Sequence, residues 1–266
     1  MGIKSGTDLR LRRRGTGAGA FGAFAIGNLA GAAAVIAQRT RCTADSFCGN
    51  PTRTVQKTVL EAVSVTRETA AIVVTSCSKR KSLVPGRDLC AASLRPGNPA
   101  AVAQDWAGRL AAAASRIPAH QLYKGRAFGE AALAARAICA SNYVISAGVG
   151  LIPVELEIPA YSLTVAAGAD NILSRLRPTE AAQPAIWWRE LKAACGSASL
   201  QDLATSGSGP VLIAAGSSYL SMIAPELGAL QERDRARVRL FTAAPRHAVP
   251  ALLEPMVMPY DRRLEA

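Results

Sequence analysis

The chain has 266 residues, half of them hydrophobic but only 5% aromatic, and a formal net charge of +12. It is long enough to bury a real core, and alanine supplies so much of the apolar content that the core should be helix-rich and closely packed. Six cysteines without a CxxC pair, and only two histidines (His120 and His247), exclude the spacings of a zinc site or a disulfide framework.

The charge is uneven along the chain. Residues 1–56 carry a net +6, residues 79–136 a net +7, and residues 137–266 a net −1. A basic first half suggests an anionic partner there, with ordinary solubility charge as the alternative reading. The cysteine usage points to a reducing, cytoplasmic compartment.

In chain order, residues 1–57 form a basic, Gly/Ala-rich, low-complexity extension. "LRLRRR" precedes an uncharged run, Gly15 to Gln38, that has the layout of a leader peptide. Gly and Ala give that run little membrane affinity, and a membrane association is not expected. A loose extension, a leader and a start codon placed too early all stay open. Residues 58–266 read as one α/β domain. "AAIVVTS" (70–76) is a continuous β-branched run and predicts a buried strand. "NPAAVAQDWAGRLAAAASR" (98–116) predicts a helix opened by Asn-Pro, and "GEAALAARAICAS" (129–141) another, with Cys139 on its core stripe. "NYVISA" (142–147) predicts a strand, with "GVGLIP" as its turn. "AIWWRELKAAC" (185–195) predicts a helix that buries Trp187 or Trp188, and "ATSGSG" (204–209) a flexible link. "GPVLIAAG" (209–216) predicts a strand, residues 217–230 the helix behind it, and "ARVRLFTAA" (236–244) a last strand. "RDRARVR" (233–239) reads as a solvated connection. Strands alternating with helices imply a mostly parallel central sheet covered by helices on both faces.

Three of these strands end alike: Ser76-Cys77-Ser78-Lys79, then Ser146 through Gly148 to Gly150, then Gly216-Ser217-Ser218-Tyr219. Ligands of open α/β sheets sit outside the carboxyl ends of the strands. Small residues there let backbone N–H groups approach an anion, and a helix starting at Ser217 would aim its positive end at one. These turns, with Lys79, form a candidate cradle for a small phosphate-bearing ligand. Neither a Walker lysine loop nor a GxGxxG turn is present, so no particular cofactor is expected. Cys77 beside Lys79 is a candidate nucleophile. Glu155 and Glu157 are candidate acid–base groups. Each also has a bland reading, as an inert thiol and as a solvated loop. Arg109 and Arg116, seven apart on the predicted helix, would make an exposed stripe suited to a nucleic-acid backbone, together with Lys79, Arg80, Lys81, Lys124 and Arg126.

The segments "SCSK" (76–79), "LYKGRAFGEAAL" (122–133), "YVISAGVGLIPVELEIPAYSLTV" (143–165) and "LIAAGSSYLSMI" (212–223) occur in an order that resembles the YaaA-like peroxide-stress proteins. The matched positions are Ser76 and Lys79, then Tyr123, Gly125 and Phe128, then Ser146, Gly150, Leu151, Pro153, Ile158, Tyr161 and Leu163, and finally Gly216 to Tyr219. The family arginine before the proline is Ile152 here, and the family tyrosine before Gly150 is Val149. The resemblance implies a cytoplasmic α/β protein that associates with DNA and protects it in oxidative stress. The alternative from the residues themselves is an enzyme acting on a nucleotide, nucleoside or nucleic-acid base.

Overall fold

A computed structural model describes residues 71–258. The expected N-terminal extension, residues 1–57, lies outside the described residues. Strand β1, Ile72–Ser76, forms where the sequence is an unbroken β-branched run, and β3 is Ser141–Ser146. Both stand in a five-stranded sheet of order β4-β3-β1-β6-β7, in which β6 is Val211–Ala214 and β7 is Val238–Phe241. β1 pairs in parallel with β3 and β6, and β6 with β7. The exception is β4, Gly150–Pro153, which turns back antiparallel on β3.

That strand corrects the reading of residues 148–153 as a turn. Only Ala147 to Val149 turn, because Gly150 takes φ 83, a left-handed conformation open to glycine. Leu151 and Ile152 then pair with β3 and are buried. Two short strands, β2 (Ile117–Pro118) and β5 (Glu157–Ile158), make a separate antiparallel ribbon.

Helix α1, Pro99–Ala112, starts where Asn98 Oδ1 accepts from the Ala100 N–H at 3.0 Å and proline occupies the first turn. It stops four residues short of the expected end. Ile117-Pro118 is drawn into the β2–β5 ribbon, so the chain before it must be extended. Arg116 therefore does not continue the helix. Its guanidinium folds back onto the Leu110 carbonyl at 2.7 Å, which also accepts from the Ala113 N–H at 3.3 Å. The short α2 (Ala119–Leu122) leads into α3, Arg126–Ala137. Cys139 lies beyond α3 in a left-handed turn (φ 52) and is exposed, which corrects its assignment to the core.

Helix α4, Pro184–Cys195, buries both Trp187 and Trp188 and ends at Gly196 with φ 62. Residues expected to be a flexible link hold the end of α5, Leu200–Thr205, which opens on a reciprocal Ser199–Asp202 capping box. Helix α6, Ser217–Gly228, follows β6, and α7, Glu232–Arg235, precedes β7. Arg237 is not a solvated residue as its run suggests. It bonds Asp234 Oδ1 at 2.9 Å and the carbonyls of Gly209 and Ala204, which fixes the entry to β6.

Helices α1, α4 and α6 bury one face of the sheet, and α3 packs on the other. No helix among the described residues is long and apolar enough to cross a membrane.

Candidate functional site

In the sheet, β3 lies on one side of β1 and β6 on the other, so the crevice above the carboxyl ends of β1 and β6 is a topological switch point. Cys77 leaves β1 there, held by its N–H to the Ile145 carbonyl at 2.9 Å. Tyr219 stands in the first turn of α6. The Cys77 thiol and the Tyr219 hydroxyl meet across the switch point at 3.1 Å.

Three backbone attachments build the walls. Residues 80–82 run against 122–124: Ser82 N–H donates to Leu122 O at 2.8 Å and Lys124 N–H to Arg80 O at 2.9 Å. Ser162 exchanges bonds with Leu89 and Ala91 at 2.7 and 2.8 Å. The loop from Thr164 to Ile172 closes on itself, with Thr164 N–H donating to Asp170 O and Ile172 N–H to Thr164 O, both at 2.9 Å. Together they bring Cys77, Ser78, Lys79, Lys81, Ser162, Thr164, Asp170 and Tyr219 around one cavity of about 60 Å³. That is room for a few waters or one phosphoryl- or sugar-sized group, and too little for a whole nucleotide.

Beside this cavity lies a buried hydroxyl chain. Ser146 Oγ stands 2.5 Å from the Tyr161 hydroxyl, which stands 2.7 Å from that of Tyr123. Ser146 Oγ already accepts from the Gly148 and Val149 N–H groups, each at 3.1 Å. An alcohol oxygen has two acceptor sites, so the Ser146 proton points to Tyr161. The turn that carries Ser146 is clamped from the opposite side. Trp106 Nε1 donates to Gly148 O at 2.6 Å and Trp187 Nε1 to Ala147 O at 2.8 Å. A side chain at Gly148 would overlap the Tyr161 ring, since its Cβ would come within 2.3 Å.

The Lys81 ammonium lies over these rings, 4.5 Å from the Tyr161 centroid and 5.8 Å from that of Tyr123. Such contacts contribute about 0.5–2 kcal/mol each. Burial pushes the phenols of Tyr123, Tyr161 and Tyr219 above their ordinary value, and the neighbouring Cys77 adds to the rise. Burial has the opposite effect on Lys81 and holds its amine below the ordinary lysine value, against the pull of Cys77 and Asp170.

The other expected site residues divide into two groups. Ser76 ends β1, with Ser217 and Ser218 opening α6, all half-buried at the switch point but outside the cavity lining. Ser146, Gly148, Tyr123 and Tyr161 belong to the buried hydroxyl chain, while Gly150 faces away, toward Ser197. Lys124 is exposed and outside the lining, and Arg126 is also exposed, ion-paired with Glu130 at 2.6 Å. Glu157 pairs with Pro118 in the edge ribbon and Glu155 lines a different cavity, so neither carboxylate enters the crevice. Arg109 is held by Asp105 at 2.9 Å, the Asp88 carbonyl and Ser93 Oγ. With Arg116 off the helix, the expected cationic stripe is not formed.

Sequence reasoning missed Ser162, Thr164 and Asp170. The signal for Thr164 and Asp170 is the small-residue loop "TVAAGADN", which can fold tightly enough to bring Gly168 against Lys79: a side chain at Gly168 would start 3.7 Å from Lys79 Nζ. Among the described residues no cluster of three or more His, Cys, Asp or Glu could hold a metal ion. In comparison with known proteins, the chain matches no family model, no curated protein and no solved structure.

Proposed function

We propose that the chain binds the sugar–phosphate part of a nucleotide, or the sugar of a nucleoside, in the crevice at the carboxyl ends of β1 and β6, and acts on it as an enzyme. The observation that carries this reading is the lining itself. Lys79, Lys81, Asp170, Cys77, Tyr219, Ser78, Ser162, Leu163 and Thr164 surround a cavity the size of one such group. Lys79 and Lys81 suit an anion. Asp170 would repel a bare anion and suits the hydroxyls of a sugar, so the mixed lining favours a ligand with both. The cavity's size leaves the rest of the ligand over the mouth, beside Ser217 and Ser218 at the start of α6.

The test is thermal unfolding of the full chain with AMP, adenosine and inorganic phosphate. A ligand at 100 times its Kd stabilises by about 2.7 kcal/mol, roughly 5–10 °C in Tm for a domain of this size. AMP should shift Tm most, and Lys79→Met should abolish most of the shift. Equal, negligible shifts from all three would sink the reading.

A second reading, association with DNA or another nucleic acid in the manner of the YaaA-like proteins, is favoured by one feature. Lys79, Arg80 and Lys124 are exposed, and the Arg80 and Lys124 backbones are hydrogen-bonded to each other beside the crevice. On that reading Arg80→Ala and Lys124→Ala should each reduce the salt slope of duplex binding by about one, and Arg109→Ala should leave it unchanged.

A further inference from the structure

Of the cysteines among the described residues, Cys77 is the one that lines the crevice cavity; Cys90, Cys139 and Cys195 lie outside the lining. The cations of that lining come from the same run of chain. Ser78 and Lys79 follow the thiol directly, and Lys81 stands two residues further on. The carboxylate comes from elsewhere, from Asp170 in the loop between Thr164 and Ile172. About 60 Å³ admits one phosphoryl- or sugar-sized group. Two lysines beside the thiol make the phosphoryl group the one that enters. The sugar then sits at its edge, with hydroxyls for Asp170, and the base lies over the mouth. In that pose phosphorus is the electrophilic atom beside the sulfur, and the glycosidic bond is outside.

The sulfur is built for attack. Cys77 is the first residue past β1, and its N–H is fixed to the Ile145 carbonyl at 2.9 Å. The Tyr219 hydroxyl stands 3.1 Å from Sγ and is the donor of that bond whenever the sulfur is a thiolate. The Lys81 ammonium is near enough to Cys77 to interact with it by charge. The Ser78 carbonyl at 3.3 Å and the faces of Tyr161 and Tyr123 hold it there as a cation. The thiolate is the nucleophilic form of cysteine, and adjacent cations favour it.

We propose that Cys77 is the nucleophile of this crevice and takes the phosphoryl group from a nucleoside monophosphate, making the chain a phosphomonoesterase. The inference rests on the crevice being the ligand site proposed above. In the first step an S–P bond forms at Cys77 Sγ as the P–O bond to the sugar breaks. The ester oxygen leaves with the electron pair and takes the proton of the monoanionic phosphate, so the nucleoside departs neutral. Water then occupies the place of the sugar beside Asp170. It gives a proton to that carboxylate and its oxygen to phosphorus, the S–P bond breaks, and the thiolate is restored. Asp170 returns the proton to solvent at the mouth.

The test uses the full chain and AMP labelled with ³²P, with adenosine release, labelled protein after acid quench and the AMP-induced Tm shift measured side by side. Adenosine should be released, and the label should map to Cys77 by mass spectrometry of its peptides. Cys77→Ser should lower release by about a thousandfold or more and keep the Tm shift. Should that variant fail to fold, iodoacetamide on the unsubstituted protein replaces it: loss of turnover should track alkylation of Cys77, and AMP should slow both. A Tm shift without adenosine release, or release that survives Cys77→Ser or alkylation of Cys77, overturns the nucleophile and leaves the ligand site standing. No Tm shift from AMP, adenosine or phosphate overturns the ligand-site reading and the nucleophile with it.

Discussion

The two faces of the sheet are buried by different means. On one, α1, α4 and α6 place Trp106, Trp187, Trp188 and a large set of leucines and isoleucines against Ile72, Val74, Ile145 and Ile213. On the other, α3 lays Ala131, Ala134 and Ala135, with Ile138 just past its end, on Val73, Leu212, Ala214 and Phe241. The first face gains its stability from area: each tryptophan buries 150–250 Å², or roughly 4–6 kcal/mol at 25 cal/mol per Å². The second relies on close approach, which alanine permits and any larger side chain forbids. The functional consequence is that the aromatic face also supports the candidate site. Two of its three tryptophans donate to carbonyls of the turn that carries Ser146.

This contrast can be broken from either side. The largest effect is expected on the aromatic face. Trp187→Ala should lose about 3–5 kcal/mol, because it opens a cavity and also leaves the Ala147 carbonyl unpaired, and it should weaken any ligand bound in the crevice. Urea unfolding and the AMP-induced Tm shift, measured together, check both halves. Destabilisation without any effect on binding would mean that the turn holds its shape unaided. On the alanine face the damaging change runs the other way. Ala131→Leu, at a fully buried position, should cost about 1–3 kcal/mol by overpacking, with ligand binding retained. A neutral result would show that α3 can move outward and that the second face is loosely packed.

A smaller effect separates both faces from the periphery. Ser199→Ala removes one half of the α5 capping box and should cost about 1 kcal/mol. The Asp202 carboxyl, held below its ordinary value chiefly by its bonds to Ser199, should then titrate closer to it. An unchanged midpoint, read by NMR, would count against the box.

The smallest and most specific test is alkaline unfolding. The three phenols near Cys77 titrate higher in the fold than in the unfolded chain, where tyrosine loses its proton near pH 10. The stability they contribute is therefore complete below about pH 10 and is lost as pH rises above it, since the folded state then holds more protons than the unfolded one. Lys81 has the opposite sign. Its folded value is lowered, so stability rises with pH as the interval between its folded and unfolded values is crossed. With three groups against one, the net slope above pH 10 should be downward, and Tyr161→Phe should flatten it. An unaltered slope in that variant would mean the buried hydroxyl chain does not govern alkaline stability.

What the sequence determined by itself was local. The β-branched runs at 72–76 and 211–214 form strands because nothing else satisfies such stretches, and proline and glycine mark both ends of α4. The two small-residue strand ends, at Cys77 and Tyr219, could be read as ends of one sheet. Their contact could not, since it joins side chains 142 positions apart and depends on which strand lies beside β1. The end of α1 followed from the same kind of distant demand. "AAAASR" is good helix sequence, and only the pairing of Ile117 with Ile158 pulls it straight and separates Arg116 from Arg109. Thr164 and Asp170 sit in a loop with no period to read, and Lys81 looked like one cation in a run of three. Tertiary structure alone decided that it lies over two buried phenols, because burial is set by what packs above a side chain and not by its neighbours in sequence.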